Sequence, residues 1–490
     1  MSAPAAAHWR RLDPRMLIIH PVVELLRALP ALAGLLLAGQ GSGHGARWSL
    51  IATVLVAGTG TLRYFTTRFR VTAAQIQLRH GLLRRRTVTA RVDRVRTVDV
   101  TAHPLHRALG LSRVVIGTGT SDRKGHPALT LDGLRVAEAG RLRYELLHRL
   151  PAATADDAET ELLRLPPSWV RYAPFTLSGA VTALAIAGFA WRLISEAHVN
   201  PNRFGPLHVV ERHFITAPFW QDVIEVAAAT IGFIVVASTA GYVLAFWNFR
   251  LTRHRGGTLH ITRGLVTSRA TSIEESRLRG AELSEPLLLR AVGGARTLAI
   301  TTGLRVGRGA ERGGTMLMPP GPRAAAVRIA ADVIGTVTPF TTPLLAHGRR
   351  ASLRRYVRAV SSSTVLLAAA GLVSWLAGLT VWTWLVVLVL VPLSVLLAAD
   401  RAMSLGHALV GDYLVTRRGS LVRRRAVLAR PGIIGVNVRS SVFQRRAGLV
   451  TLTATTAAGR QGYRVQDVPT AEAGRIADTL LPGLLYDFTS

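Results

Sequence analysis

Two arginine triplets, Arg84–Arg86 and Arg423–Arg425, carry the most evident binding chemistry in this sequence. A guanidinium group binds phosphate oxygens in a bidentate way and is weakly hydrated. Clustered arginines therefore fit anionic lipid headgroups, each adding about 1 kcal/mol near such a surface. The alternative is a solvated hairpin edge, where charge blocks pairing with another strand. Both interpretations stay open, and these six arginines are the candidate lipid contacts.

Catalytic, metal and cofactor chemistry has little support in the sequence. The chain has no cysteine, which excludes disulfides, thiolate metal sites and cysteine nucleophiles. His103 and His106 have no second pair of ligands, and Pro104 between them indicates a turn. No Ser/His/Asp arrangement and no supported pair of carboxylates is present. We therefore expect a protein that is not an enzyme, with no catalytic residue, no metal and no cofactor.

The arginine triplets belong to a repeated pattern of glycines. A pair of glycines 29 positions apart occurs three times, and each triplet follows the first glycine of a pair. Such widely separated copies indicate repeated domains rather than a stacked array. A hairpin turn needs a residue that accepts positive φ, so we assign these glycines a structural role in turns or bulges. The pairs are Gly81 and Gly110, Gly264 and Gly293, and Gly419 and Gly448.

The segments around these glycines predict short strands followed by one helix. Residues alternate in character over Thr87–Val92 and Val95–Val100, which is typical of strands. Leucines at helical spacing predict a closing helix over Val136–Leu150. Part of this helix, Ala137–Arg141, recurs letter for letter as Ala471–Arg475, which is independent support for duplication.

Apolar segments precede each copy of the pattern. The chain is 49% hydrophobic yet carries 60 basic residues, which fits if apolar residues are gathered in membrane segments. A membrane span needs about 20 predominantly apolar residues. Six segments approach this length and form three hairpins: Pro21–Gln40, Trp48–Thr66, Ala173–Ile194, Val223–Trp247, Ser362–Leu379 and Val381–Ala399.

The placement of arginine predicts the orientation of these spans. Arginines are dense where the hairpins join the modules and sparse at the opposite ends. Because cytoplasmic flanks of spans are enriched in Lys and Arg, both termini and all modules are expected in the cytoplasm. The N-terminus lacks the apolar core of a cleaved signal peptide. The sequence thus predicts a multi-pass protein of the inner (plasma) membrane.

These observations divide the chain into nine parts. The parts are 1–21 (N-terminus), 22–66 (hairpin 1), 67–150 (module 1), 151–168 (linker), 169–247 (hairpin 2, with an external loop at 195–222), 248–338 (module 2), 339–356 (basic linker), 357–400 (hairpin 3) and 401–490 (module 3).

Module 1 resembles a known bacterial domain. Arg91–Val100, followed by Pro104–Leu111, is similar to the PH-like domain of YdbS/YdbT-type membrane proteins. The three-module layout resembles the YdbT-like members over nearly the whole chain. Module 3 has Pro431–Ile434 and module 2 has Glu274–Arg277 where module 1 has Asp93–Arg96, so the pattern is degenerate. The resemblance implies an α+β multidomain membrane protein in which three transmembrane hairpins alternate with three PH-like β-barrels, each closed by a C-terminal helix.

The predicted function is binding at the cytoplasmic face of the membrane. The expected partners are membrane lipids, another membrane protein or a second copy of the chain. Nucleic acid is not expected, because membrane topology accounts for the net charge of +32. The alternative is a component of a transporter or export system, which would require polar residues and helix breaks near the membrane midplane.

Overall fold

The computed structural model describes residues 9–25, 28, 45–72, 74–81, 86–92, 97–117, 129–147, 159–176, 188, 218–265, 267–302, 315–377 and 382–482. The chain falls into two compact units. Unit 1 comprises Met1–Pro174 and Ser178–Glu274, and unit 2 comprises Phe175–Leu177 and Glu275–Ser490. Both units combine antiparallel sheets with helices, so the α+β class is confirmed.

Unit 1 contains two antiparallel sheets. Its strands are β1 (Arg10–Arg11), β2 (Arg68–Val71), β3 (Gln75–His80), β4 (Arg86–Arg91), β5 (Thr97–Ala102), β6 (Leu111–Gly117), β7 (Leu129–Arg135), β8 (Thr160–Arg164), β9 (Arg250–His254), β10 (Thr258–Arg263) and β11 (Ser268–Glu274). Its helices are α1 (Met16–Leu25), α2 (Gly45–Thr66), α3 (Pro104–Ala108), α4 (Val136–Leu147) and α5 (Phe219–Phe246). A 3-10 helix covers Pro167–Phe175. The strand orders are β1-β2-β3-β4 and β7-β6-β5-β11-β10-β9-β8.

Unit 2 also contains two antiparallel sheets. Its strands are β12 (Leu278–Pro286), β13 (Gly294–Thr301), β14 (Met316–Pro322), β15 (Gly406–Val410), β16 (Tyr413–Arg418), β17 (Val422–Ala429), β18 (Gly435–Arg439), β19 (Leu449–Thr455) and β20 (Gly462–Pro469). Its helices are α6 (Leu287–Ala291), α7 (Arg323–Ile334), α8 (Thr338–Thr341), α9 (Gly348–Ala377), α10 (Trp382–Ser404), α11 (Val442–Arg446) and α12 (Thr470–Leu480), with 3-10 helices at Glu275–Arg277 and Arg430–Gly432. The strand orders are β14-β13-β12-β17-β16-β15 and β18-β19-β20.

Each module consists of two three-stranded halves. The opening halves are β2–β4, β9–β11 and β15–β17. The closing halves are β5–β7 with α4, β12–β14 with α7, and β18–β20 with α12. A closing half joins the opening half of the next module in one sheet, through β5–β11 (the first seam) and β12–β17 (the second seam).

The seams correct the prediction of three closed barrels. Among the described residues the strands form open sheets, and two of those sheets are each shared between consecutive modules. The alternating pattern of a strand specifies which face it buries, but it does not specify which strand satisfies its free backbone groups. In this chain the neighbouring module supplies those partners.

The segments before the predicted hairpins are part of the sheets. β1 pairs with β2, β8 pairs with β9, and Leu345 forms a bridge with His407 of β15. Each of these segments therefore pairs with the first strand that follows the next apolar region. Residues 151–168, predicted as a linker, contain β8, and the predicted basic linker 339–356 contains the beginning of α9.

Two helices among the described residues are long and apolar enough to cross a membrane, Trp220–Phe246 and Gly348–Leu376. Their apolar side chains are mostly exposed, for example Val236 at 68% and Trp375 at 80%. Exposed apolar helices of this length indicate membrane association. The remaining four predicted spans stay predictions, and most of Ala173–Ile194 lies outside the described residues.

The start of the first apolar helix differs from the predicted boundary. Helix α1 begins at Met16 rather than near Pro21, because Met16 and Ile19 are buried in the apolar core of module 1.

Helices α9 and α10 pack against each other, and the hydroxyl groups of Ser363 and Ser394 lie 2.6 Å apart. A second core lies in module 3, where residues of β16, β17, β19 and β20 pack with α12.

The six repeat glycines share two backbone conformations. Gly81, Gly264 and Gly419 have φ values of 114°, 103° and 107°, and the second glycines, Gly110, Gly293 and Gly448, have 68°, 71° and 65°. A Cβ atom on Gly264 or Gly419 would collide with the carbonyl oxygen three residues later. The first residue of each closing helix donates its N–H to the carbonyl of the second glycine. The repeat therefore extends to backbone hydrogen bonds.

Candidate functional site

The second arginine triplet lies in the second seam. Arg423 donates to Asp400 at 2.9 Å, and Arg424 lies 3.4 Å from a carboxylate oxygen of Glu282. Arg425 donates to the carbonyl oxygens of Pro339 and Thr342 at 2.9 and 2.7 Å. All three arginines therefore have partners within unit 2.

Arg425 is the most buried member of this triplet, with 8% of its surface exposed. Burial, together with the nearby charges of Arg417 and Arg323, lowers its pKa to about 10, although Glu285 acts in the opposite direction. Two backbone carbonyls already occupy its guanidinium group. Lipid contact by Arg423–Arg425 stays a prediction, and these contacts favour a structural role instead.

The first triplet is largely outside the described residues. Arg84 and Arg85 are not described, and Arg86 is described only as the first backbone position of β4. Lipid contact by these three arginines also stays a prediction.

Glu282 is the acidic centre of the second seam. Its side chain is 4% exposed and lies within 3.4 Å of Arg424 and 3.2 Å of Arg460. Arg418 is close enough for Glu282 to oppose the lowering of its pKa that burial causes. A buried carboxylate that lost these partners would be costly, and so would arginines that lost the carboxylate. Glu282 of β12, in module 2, is therefore linked to two parts of module 3, namely Arg424 of β17 and Arg460.

The C-terminal end of α10 is fastened to the same region. Asp400 accepts from Arg290 at 2.8 Å and from Arg423 at 2.9 Å. Arg417 donates to the carbonyl oxygens of Met403 and Ser404, which are among the last carbonyls of the helix. A cation at this position also opposes the negative end of the helix dipole. The helix that leaves the hairpin is thus joined to modules 2 and 3.

The N-terminal end of α9 is fastened to the closing half of module 3. Arg354 and Arg355 both form ion pairs with Asp467, whose side chain is 1% exposed. Asp467 has a φ of 56° and lies beside an irregularity in the β19–β20 pairing. Gln444 donates to the same carboxylate at 2.7 Å. The bulged strand therefore presents one buried acid to the first turns of the apolar helix.

A chain of buried polar groups lies next to this ion pair. His347 lies 2.6 Å from the carbonyl oxygen of Gln466 and 3.0 Å from His407, which in turn lies 3.5 Å from Glu472. Burial, helped by the neighbouring charge of His407, lowers the pKa of His347 to about 4, although the hydrogen bond with the Gln466 carbonyl opposes this shift. Burial also lowers the pKa of His407, although Glu472 opposes it. Both rings are thus held in the neutral form near pH 7.

Module 1 contains a comparable joint. Arg15 donates to the carbonyl oxygen of Leu109 at 2.7 Å, just as Arg350 donates to that of Ala447 at 3.5 Å. Each arginine precedes or begins an apolar helix, and each carbonyl belongs to the residue before the second glycine of its module. The contact between the apolar helix and the module is therefore repeated.

The histidine pair of module 1 has a structural environment. His106 is 2% exposed and lies 3.0 Å from Asp132, which also accepts from Arg113 at 2.6 Å. Burial acts to raise the pKa of Asp132, but the hydrogen bonds from His106 and Arg113 outweigh it and hold the pKa well below its usual range. In the part of the chain that is described, no group of three or more His, Asp or Glu residues could hold a metal ion.

The acidic residues that organise these contacts were not predicted from the sequence. Glu282, Asp400 and Asp467 each bind two arginines, and each is far from its partners in sequence. One signal was available: the chain has 28 acidic residues against 60 basic ones. A carboxylate within or beside a predicted strand of so basic a protein is therefore a candidate centre for arginine contacts.

Comparison with known proteins identifies the domain type. The Bacterial PH domain family matches residues 23–150 and 362–483, and these two segments cover just over half of the chain. They cover module 1 and module 3 as far as residue 483, whereas module 2 lies outside the match. No curated protein and no solved structure matches the chain. The two matched segments, each with an opening half, a closing half and a closing helix, show that this chain belongs to the bacterial PH domain family.

Proposed function

We propose that this chain is a multi-pass membrane protein that holds three PH-like modules at the cytoplasmic face of the plasma membrane, where they bind protein partners or anionic lipid without catalysis. The three-module layout, with its resemblance to YdbT-like proteins, supports this proposal. Bacterial PH domains are protein- or lipid-binding modules, and the two long apolar helices support attachment to a membrane.

The observation that carries the proposal is the pairing of the segments on either side of each apolar region. β1 and β2 flank the first region, β8 and β9 flank the second, and Leu345 and His407 flank the third. Hydrogen-bonded neighbours lie on the same side of a membrane. Each apolar region must then cross an even number of times, which supports three hairpins with every module on one side.

The distribution of arginine supports the cytoplasm as that side. The first turns of α9 carry Arg349, Arg350, Arg354 and Arg355, and β2 begins with Arg68 directly after α2. Positively charged residues flanking spans are retained in the cytoplasm. In this proposal the ion pairs of Asp467 and Asp400 hold the modules close to the membrane surface.

Cysteine labelling tests the topology without background, because the chain has no cysteine of its own. Ala137, Ala324 and Ala471 are the second residues of the three closing helices, and all are exposed. In intact cells a membrane-impermeant maleimide should not label cysteine at any of these positions, and it should label all three after permeabilisation. His208→Cys, in the predicted external loop, should react in intact cells. Labelling of a closing helix in intact cells would contradict the proposal.

Photocrosslinking tests the binding function. A photoreactive amino acid at Ala137, Ala324 or Ala471 in native membranes should give discrete adducts, which mass spectrometry identifies as protein or phospholipid. Absence of both kinds of adduct at all three positions, and at exposed positions of the opening halves, would contradict a binding role.

A further inference from the structure

The outer edge of module 3 repeats a surface that modules 1 and 2 use to bind the next module. β5 and β12 pair with the opening half of the following module through the two seams. β18 has the same place in the closing half of module 3 and is the edge of its sheet, paired with β19. Its other edge has no strand partner among the described residues.

The two seams have the same register. In both, a residue eight positions before the second glycine of one module pairs with a residue four positions after the first glycine of the next. The pairs are Ala102 with Ser268, and Glu285 with Arg423. The same backbone arrangement is therefore formed twice with unrelated side chains, which indicates that the module fold itself produces this contact.

The side chains of β12, which pairs in the second seam, are more buried than the equivalent side chains of β18. Leu283 and Val438 both lie ten residues before the second glycine, but Leu283 is 1% exposed whereas Val438 is 50% exposed. Close to Val438 in sequence, the apolar side chains of Ile434, Val442 and Phe443 are 68%, 52% and 73% exposed. An exposed strand edge that carries apolar side chains is a template for pairing with another strand.

A complementary free edge exists in the same chain. β4 has the place in module 1 that β11 and β17 have in modules 2 and 3, and it is the edge of its sheet, paired with β3. Thr89, eight residues after the first glycine, is exposed, whereas the equivalent Ser272 and Val427 are fully buried. Modules 1 and 3 therefore carry the two halves of an unformed seam.

We propose that β18 of one copy pairs antiparallel with β4 of a second copy in the register of the seams, which places Thr87 opposite Val438 and Thr89 opposite Val436. The two surfaces come from different modules, so the contact is head-to-tail. Such an interface gives either a closed ring or an open chain of copies. The proposal is independent of lipid binding and of any other protein partner.

The charges at this contact make it weaker than the second seam. The shared register places Arg86 opposite Arg439, where the second seam has Arg424 opposite Ser284. Like charges directly opposite in a sheet oppose pairing. Association should therefore strengthen as added salt screens the two arginines. The same charges block pairing with unrelated strand edges.

Disulfide trapping between two copies tests the pairing. One tagged copy carries Thr87→Cys and a differently tagged copy carries Val438→Cys, so a disulfide can form only between chains. Opposed residues of antiparallel strands have Cβ atoms about 4.5–5.5 Å apart, close enough for a disulfide after a small adjustment. Mild oxidation in native membranes should give a covalent dimer that carries both tags. Arg439→Cys in place of Val438→Cys should give little, because the cysteine is then one position along the strand and its side chain lies on the other face of the sheet.

Two further results decide the identity of the partner. Arg439→Glu, added to the copy that carries Val438→Cys, should raise the yield of the disulfide with the Thr87→Cys copy about fivefold. The reason is that it replaces like charges by opposite charges. A chain with both cysteines should give a ladder of oligomers. A doubly substituted chain that closes on itself as a monomer would overturn the proposal, as would equal trapping by the shifted cysteine. No trapping by the mixed pair, although the variants are membrane-inserted and label with maleimide, would also overturn it.

Discussion

The closing halves of modules 2 and 3 have the same order of elements but opposite environments. Both contain three antiparallel strands, a short helix before the second glycine and a closing helix. Both also have a register shift in the pairing of their last two strands. β12 is almost wholly buried, whereas the last three residues of β18 are exposed. The strand fold is therefore a property of each module, but the burial of its edge depends on its neighbour.

The residue eleven positions before the second glycine shows the chemical consequence. In module 2 this residue is Glu282, 3% exposed and paired with Arg424 and Arg460. In module 3 it is Asn437, which is exposed and lies on the free edge. A buried charge requires a partner, so the acid occurs where the neighbouring module provides arginines.

The largest expected effect comes from making module 2 resemble module 3 at this position. Glu282→Asn should lower the free energy of unfolding of unit 2 by about 4 kcal/mol, because it leaves buried arginines without their carboxylate. Hydrogen exchange should show β12 and β17 opening together. The matched control is Asn437→Glu, which should cost less than about 0.5 kcal/mol at an exposed position. Equal effects at the two positions would contradict the comparison.

Acid should lower the stability of the contacts between module 3 and the start of α9, where His347 lies. It should have less effect on the closing half of module 2, because residues 278–334 contain no histidine. His347 has a pKa of about 4 in the folded chain against an ordinary value of 6.5. As the pH falls, the unfolded chain binds this proton first. The stability is therefore complete above about pH 6.5 and is lost progressively toward pH 4, by about 3 kcal/mol in total.

Hydrogen exchange of β20 and the start of α9 between pH 7.5 and 4.5 measures this effect. His347→Gln cannot be protonated, so it should flatten the pH dependence of these segments. An unchanged pH dependence in His347→Gln would show that another group is responsible.

The smallest expected effect concerns the glycines at the start of β12 and β18. Gly280 has a φ of 148°, and a Cβ atom there would collide with the carbonyl oxygen of Val427 across the second seam. Gly280→Ala should therefore cost about 2 kcal/mol through backbone strain and separation of the strands. Gly435 has the same place in β18, and its nearest neighbour would be the Thr455 hydroxyl at 3.2 Å. Gly435→Ala should cost less than about 1 kcal/mol, as thermal unfolding can measure; the reverse order would contradict the role of the seam.

The sequence by itself determined the local features of this protein. Glycine spacing defined three modules, and the alternating pattern predicted strands such as β4 within one residue at each end. Helical spacing of apolar residues predicted the closing helix α4. These features depend on backbone conformation and on which face of an element is apolar, and both are properties of neighbouring residues.

Only the tertiary structure decided how the modules are joined. It assigned the free edges of β5 and β12 to the following modules, and it made a sheet strand of residues predicted as a linker. It also placed Arg423–Arg425 in a seam, and it brought Arg354 to Asp467, 113 positions away. A strand edge accepts any strand and an arginine accepts any carboxylate or carbonyl, so local sequence does not select the partner. The selection is made by the packing that brings distant segments together.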